Sequence, residues 1–388
     1  MKYLVLGAGT QGSAAAFDLL HSDPDCEVVI ADLRTDSLHP ALRPWLGNRL
    51  TTVRANATCE WEVAPAMEGA AAVLCAFPYY FNYDMARLAV DAGAHFTDLG
   101  GNTAIVERQR GLDARARATG LSIVPDVGLA PGMVNILAQG GIDRLDTTDS
   151  VRLWVGGLPQ HPKPPLNYQI VYSLEGMLDY YVTPAEILQD GRRTTVEALS
   201  EIETLDFPDP IGQLEAFHTG GGTSTLPSRY EGRVRSLEYK TLRYPGHAHI
   251  MRAIRALGLL SDSEVEHEGA KVNPRRFFIE RVTPLLTNED GDDMVVARVE
   301  AAGERDGRRV RIRYDVIDYH DPVTGITAMA RTTGFSLAIV ARMQARGEVP
   351  APGVGTPDEV IPPDAFVAEL RRRDIRVEFS ETSADASG

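Results

Sequence analysis

The first third of the chain is a succession of short apolar runs separated by longer stretches whose apolar residues recur at helical spacing. The runs are Tyr3-Leu4-Val5-Leu6, Glu27 to Ala31, Thr51 to Ala55, Ala71 to Ala76, His95 to Asp98 and Ser122 to Pro125. Between them, Ser13 to Leu20, Glu60 to Glu68, Asp84 to Ala92 and Thr103 to Ala118 have the helical pattern. Runs that are apolar on both faces and alternate with helices predict a parallel sheet covered on both sides, an α/β, doubly wound Rossmann arrangement. Ligands bind beyond the carboxyl ends of such strands. Here those ends are Gly7, Asp32, Phe77-Pro78-Tyr79, Asp98-Leu99-Gly100-Gly101 and Pro125-Asp126-Val127-Gly128.

After about residue 128 the pattern changes to α+β, with longer loops and two-residue alternation. Pro131 suits a first helical position and predicts a helix start. A strand follows over Ser150 to Val155. Met294 to Ala301 and Val310 to Ile317 alternate on both sides of Asp306-Gly307, which predicts a hairpin. Thr183-Pro184-Ala185-Glu186 has the form of a capping box, giving Glu186 a structural role. Asn273-Pro274 opens a helix running to about Leu286, and Thr332 to Arg346 is a long amphipathic helix. The Pro/Gly-rich stretch Val349 to Pro363 leads to a short helix and strand, and Ser380 to Gly388 is expected to be disordered.

Composition narrows the function classes. The chain has 388 residues, 44% of them hydrophobic, enough for two substantial cores. A net charge of −15 argues against nucleic-acid or anionic-membrane partners, which are polyanions. No apolar stretch approaches the roughly 18 residues of a membrane span, and the apolar run at the start stops at Leu6, so a cytoplasmic location is expected. Cys26, Cys59 and Cys75 are too scattered for a disulfide framework or a thiolate metal site.

The chemistry begins at Gly7-Ala8-Gly9-Thr10-Gln11-Gly12, placed between the first strand and its helix. Gly7 permits a tight turn, Gly9 lets backbone approach a pyrophosphate, and Gly12 lets the helix lie close to the sheet. The pyrophosphate would sit on the helix N-terminus, with Thr10 and Gln11 of the loop and Pro78 among the cofactor contacts. Asp32 ends the second strand, where a carboxylate accepts hydrogen bonds from the ribose hydroxyls and repels a 2′-phosphate. NAD is therefore expected over NADP, although Arg34 lies close by.

A second dense region spans Leu214 to Met251. Phe217-His218-Thr219-Gly220-Gly221-Gly222 combines a glycine loop with an imidazole and a hydroxyl, and Glu238 to His247 adds Lys240, Arg243, Tyr244 and a helix start. A guanidinium, phenol and imidazole near a helix N-terminus suit a substrate carboxylate; a strand of alternating solvated charges gives the same pattern. His247 and His249 lack a third ligand, so no metal is expected.

Beyond these single features, Asp98-Leu99-Gly100-Gly101, Pro125 to Asn135, Pro164-Pro165-Leu166, Ser173-Leu174-Glu175-Gly176, Leu214 to Thr219 and Leu237 to His247 together resemble the lysine 6-dehydrogenase branch of the saccharopine dehydrogenase-like oxidoreductases. The resemblance covers Met1 to about Phe379, with one departure at Gly220, where the family motif has serine. It implies NAD-dependent oxidation of the L-lysine ε-amino group, giving 2-aminoadipate 6-semialdehyde, which cyclises to 1-piperideine-6-carboxylate, with release of ammonia. It also implies a homodimer and an interrupted nucleotide domain. The expected divisions are residues 1–128 for NAD, 129–330 for substrate and dimerisation, and 331–388 returning to the first unit.

The reaction assigns provisional roles. Hydride leaves Cε only when the nitrogen lone pair is free, yet an amine of pKa 10.4 is neutral in roughly four molecules per ten thousand at pH 7. A base or a pKa-depressing environment is required. Asp98 and Asp126, at strand ends, are the candidates for holding or deprotonating the amine, and Tyr79 for cofactor packing or proton transfer. Arg243 is expected on the α-carboxylate, with His218, Thr219, Lys240, Tyr244 and His247 around it and Glu175 on the α-ammonium. The alternatives are an NADPH-dependent saccharopine reductase or carboxynorspermidine dehydrogenase, and a non-catalytic NAD(H)-sensing protein.

Overall fold

The protein is seen here as a computed structural model, which describes residues 1–36, 38–287 and 292–383. The first part runs β1 (Lys2–Leu6), α1 (Thr10–Ser22), β2 (Glu27–Asp32), β3 (Leu50–Arg54), α2 (Glu60–Met67), β4 (Ala72–Cys75), α3 (Asn82–Asp91), β5 (His95–Asp98), α4 (Thr103–Arg110), α5 (Asp113–Thr119) and β6 (Ser122–Val124). The second runs α6 (Met133–Ile142), β7 (Thr147–Pro159), α7 (Leu174–Val182), β8 (Ala185–Gln189), β9 (Arg192–Val196), β10 (Glu203–Asp206), β11 (Gln213–His218), α8 (Leu226–Tyr230), β12 (Ser236–Arg243), α9 (His247–Ala256), β13 (Val265–His267), β14 (Ala270–Val272), α10 (Pro274–Leu286), β15 (Asp293–Arg305) and β16 (Arg308–Tyr319). The chain closes with α11 (Ala328–Ala330), a π turn over Arg331–Phe335, α12 (Ser336–Ala345), β17 (Gly353–Val354), α13 (Pro357–Val360), α14 (Pro363–Arg371) and β18 (Arg376–Ser383).

The apolar runs form one parallel sheet in the order β17-β6-β5-β4-β1-β2-β3, so the doubly wound expectation holds. Period-two alternation divides its strands between two cores: Tyr3 and Val5 join one, Leu4 and Leu6 the other. Each fully buried Leu or Val contributes about 1.5–3 kcal/mol. Leu337, Ile339 and Val340 of α12 belong to the same core as Tyr3 and Val5, so the late helix completes a face of the first sheet. Gly334 makes this possible, because a Cβ there would lie 2.7 Å from the Gln11 carbonyl oxygen.

The second sheet is mixed, with the path β10-β11-β12-β7-β15-β16-β18. The β15–β16 hairpin turns at Asp306-Gly307, whose φ values of 52° and 70° suit a two-residue primed turn. Asn273 Oδ1 accepts from the Arg276 amide at 2.9 Å, capping α10 where the sequence predicts.

Four local expectations fail. Ala185–Gln189 is a strand rather than a helix start, because pairing with β9 and β12 overrides the capping pattern, and Glu186 faces Arg193 at 3.9 Å. The stretch from Thr103 to Ala118 is two helices, broken at Gly111-Leu112. The helix expected from Pro131 begins at Met133, since the Gly128 amide donates to Pro131 O and Gly132 sits at φ 127°. Ser380 to Ser383 pair with β16 instead of fraying; residues 384–388 lie outside the described residues. The C-terminal segment thus serves both sheets, β17 the first and β18 the second.

Candidate functional site: two clefts that meet at the glycine loop

The turn from β1 into α1 carries the geometry of a dinucleotide site. Gly7 has φ 108°, and a Cβ on Gly12 would lie 1.9 Å from the Gly7 carbonyl oxygen, so both positions require glycine. A Cβ on Gly9 meets nothing within 4 Å, leaving that backbone open to an incoming group. Asp32 holds the loop: its Oδ2 accepts from the Ala8 amide at 2.7 Å and its Oδ1 from the Arg34 amide at 2.9 Å. Asp32, Arg34 and His39 line a cleft of about 320 Å³ with Ala8, Gly9 and Thr10. Gln11 faces the other way, into the central cavity, and its Oε1 is buried without a partner. These residues fit a dinucleotide laid across the loop.

The central cavity, about 360 Å³, lies between the strand ends of the first sheet and β7 and β12 of the second. Phe77, Pro78, Tyr79, Gly100 and Gly101 form one wall; Tyr172, Tyr180, Tyr239, Thr241 and Arg243 form the opposite one. Strand alternation selects the second set: Tyr239, Thr241 and Arg243 share one face of β12. The lining residues include no carboxylate, histidine or lysine among those described.

Arg243 is 3% exposed and has no carboxylate within 4.0 Å among the described residues. Its Nε donates to the Tyr181 hydroxyl at 3.2 Å, and its Nη1 to the carbonyls of Leu242 at 2.9 Å and Gly157 at 3.4 Å. The guanidinium lies 4.8 Å from the Tyr168 ring centroid. Glu215 is its cross-strand partner, but that carboxylate accepts from the Gly246 and Ala248 amides at the start of α9. Burial opposes the arginine charge, and the phenols of Tyr181, Tyr168 and Tyr172 outweigh it, so the guanidinium stays charged.

His247 lies behind Arg243 and does not line the cavity. Its Nδ1 is 2.9 Å from Leu166 O, an acceptor, so Nδ1 carries the proton; Nε2 then accepts from Tyr181 at 3.0 Å. Burial and then the neighbouring Arg243 hold the ring neutral, with its pKa lowered to about 3. The polarity of the whole chain follows: Arg243 donates to Tyr181, Tyr181 to His247, and His247 to the backbone.

The remaining expected residues separate. Asp98 and Asp126 are buried behind Gly100 and Gly101 and are not among the residues that line the cavity. Asp98 accepts from the Gly100 amide at 2.7 Å, Gln109 Nε2 at 2.7 Å and the Asp126 amide at 3.3 Å, a loop-organising set. Asp126, at φ 62°, accepts from Ser224, and the Gly101 amide favours its charge. Burial raises Asp98 to about 6 and Asp126 to about 7. Tyr180 lines the cavity and feels the Asp126 charge, which, after burial, helps raise its phenol to about 12.

Lys240 and His218 point to the opposite face of the sheet. Lys240 Nζ lies 3.0 Å from Glu203 and 3.8 Å from Glu238, and His218 Nε2 lies 3.1 Å from Glu201. The ligand atoms of Glu201, His218 and Glu238 fall within 4.8 Å of one another, but Lys240 already supplies a cation to this cluster. Thr219 supports Thr241 through a 2.7 Å hydroxyl contact, and Tyr244 donates to Pro159 O at 3.1 Å. Glu175 is exposed on the first turn of α7, outside the cavity. The sequence reading missed the phenols of Tyr168, Tyr172, Tyr180, Tyr181 and Tyr239; the density of tyrosine between 168 and 181 was the available signal.

Comparison with known proteins finds two family matches: a saccharopine dehydrogenase NADP binding domain over residues 3–124 and a saccharopine dehydrogenase C-terminal domain over residues 128–375. The saccharopine dehydrogenase [NADP(+), L-glutamate-forming] of Saccharomyces cerevisiae is 22% identical, covering 95% of this chain and 96% of that protein. The mitochondrial alpha-aminoadipic semialdehyde synthase of Mus musculus is 23% identical, but the match spans only 45% of its length. The apo structure of the yeast saccharopine dehydrogenase superposes with a TM-score of 0.80 at 20% identity, over 98% of this chain and 100% of that one. A homospermidine synthase of Legionella pneumophila in complex with NAD gives a TM-score of 0.70 at 12% identity, over 98% and 91%. No helix among the described residues is long and apolar enough to cross a membrane.

Proposed function

Because the chain belongs to the saccharopine dehydrogenase family of oxidoreductases, we propose that it is an NAD-dependent dehydrogenase that oxidises the ε-amino group of L-lysine or a closely related amino acid, yielding the 6-semialdehyde and ammonia. The observation that carries this reading is Arg243, a buried, cavity-lining guanidinium without an acidic partner among the described residues, opposite the wall formed by the strand ends of the nucleotide domain. A substrate carboxylate supplies the missing anion, and the rest of the molecule then extends toward Pro78 and Tyr79. When bound, NAD supplies the hydride acceptor.

The protein's own groups deal with the amine. A cavity lined by apolar side chains such as Phe77, Leu129, Val155 and Met329, by phenols and by one guanidinium, with no carboxylate among the described residues, disfavours an ammonium by desolvation and leaves the lone pair free. Asp126, behind the wall and next to Tyr180, sets the field at that phenol rather than binding the amine itself. Asp98 fixes the loop that carries Gly100. Water adds to the resulting imine carbon and ammonia leaves, which balances the reaction.

A second reading, NADP-linked oxidation of a saccharopine-like secondary amine, is favoured by Arg34 at the adenosine-side cleft and by the description of the matching nucleotide domain. One assay separates the two: reduction of NAD and of NADP followed with L-lysine, L-ornithine and saccharopine. L-lysine with NAD is expected to give the highest kcat/KM, rising from neutral pH toward about 9–10 as the amine deprotonates. Turnover of saccharopine alone, or equal use of both cofactors, overturns the proposal. We also propose a homodimer, for which sedimentation is the check.

A further inference from the structure

A larger cavity, about 560 Å³, lies between α1, the π turn and α14. The segment from Met329 to Phe335 serves both cavities: Met329 and Thr333 line the Arg243 cavity, and Arg331 and Phe335 line this one. Its charges are unequally matched. Arg373 donates to Asp18 at 2.6 Å and to Glu369 at 2.6 Å, and Arg372 also engages Glu369. Arg331 is committed to Asp318 through two hydrogen bonds. Arg342, 7% exposed, is left with Glu369 at 3.8 Å and Ser22 O at 3.5 Å, and its Nε is buried with no hydrogen bond among the described residues. A desolvated guanidinium so weakly bonded carries an unmet preference for an anion. Asp374 and Asp321 also line this cavity; the Asp321 oxygens accept from the Val323 amide at 2.9 Å and the Thr324 hydroxyl at 2.7 Å and keep lone pairs for a further donor.

We propose that this cavity binds a small α-amino acid, its carboxylate on Arg342 and its ammonium at the Asp321 and Asp374 carboxylates, and that occupancy is transmitted along Met329 to Phe335 to the dinucleotide loop. Gly334 packs directly on the Gln11 backbone, so a shift of the π turn moves the loop that carries the cofactor contacts. The linkage is reciprocal: the amino acid and the dinucleotide alter each other's affinity by one common factor. This inference does not depend on what the Arg243 cavity holds.

The test is calorimetry on the full chain carrying Arg243→Ala, which weakens any amino-acid binding in the other cavity by roughly 10- to 150-fold and so separates it from binding here. The probes are L-lysine and L-glutamate, with glutarate, cadaverine and inorganic phosphate as partial mimics. One amino acid per chain is expected to bind, at least about tenfold more tightly than any partial mimic. Adding Arg342→Gln should weaken it roughly tenfold or more, and Asp374→Asn, at an exposed position that does not threaten the fold, should weaken L-lysine binding severalfold. NADH affinity measured by fluorescence should change at least about twofold on saturation with amino acid. Absence of binding, binding indifferent to both substitutions, or phosphate or glutarate binding as tightly as the amino acids overturns the site. Unchanged NADH affinity overturns the coupling.

Discussion

At the residue scale, Arg243 and Asp126 show how burial separates two charged groups that look alike in a sequence. Arg243 keeps its charge, lines the cavity and lacks an acid among the described residues, so a ligand carboxylate gains a charge-assisted interaction of roughly 1.5–3 kcal/mol. Arg243→Ala is therefore expected to lower kcat/KM for L-lysine by about 10- to 150-fold, with a much smaller loss for cadaverine and little change in NAD affinity. Equal fractional losses for both amines would assign Arg243 to structure. Asp126 has the opposite balance, with its pKa raised by burial to about 7. Between the ordinary carboxylate value and 7 the folded state binds the extra proton, so this group's contribution to stability is full at low pH and is lost as pH rises through 7. Asp126→Asn should raise the unfolding free energy at pH 8 by up to about 4 kcal/mol relative to its effect at pH 4, and urea titrations at the two pH values measure the difference.

At the element scale, β12 sorts its residues by alternation. Tyr239, Thr241 and Arg243 face the cavity, whereas Glu238 and Lys240 face the acidic cluster with His218. Lys240→Met should leave KM for L-lysine within about twofold and lower stability by about 1–3 kcal/mol, discounted for the partial exposure of Glu203. Thermal unfolding and steady-state kinetics on the same preparation check both halves, and a large KM change would return Lys240 to the substrate side. The residue types in this strand were legible as a carboxylate site, but which of them share a face depends on strand phase. That phase is fixed by pairing with β11 and β7. The failure at Thr183 to Glu186 has the same origin, since a local capping pattern yields to long-range strand pairing.

At the scale of the whole molecule, the nucleotide sheet is completed by chain that arrives more than 200 residues later. Leu337, Ile339 and Val340 of α12 cover the face that carries Tyr3 and Val5, and Gln344 Nε2 donates to Phe96 O and Ser122 O at 3.0 Å each. A fragment of residues 1–128 is therefore expected to expose an apolar sheet face, bind a hydrophobic dye and unfold without a cooperative transition, whereas the full chain melts cooperatively. A cooperative melt of the fragment would show that the first unit needs no closing helix.

The parallel strands, the glycine turn and the position of Asp32 were readable from the sequence because each is local: strand, turn and helix chemistry within a few tens of residues leaves one arrangement of backbone. The hairpin at Asp306-Gly307 and the cap at Asn273 were readable for the same reason. Long-range packing put Asp98 and Asp126 behind the cavity, turned Lys240 and His218 away from it, and gathered five tyrosines around its guanidinium and walls. Those outcomes depend on which face of a strand meets which neighbour, and on elements distant in sequence that remove water from one charge and leave another solvated.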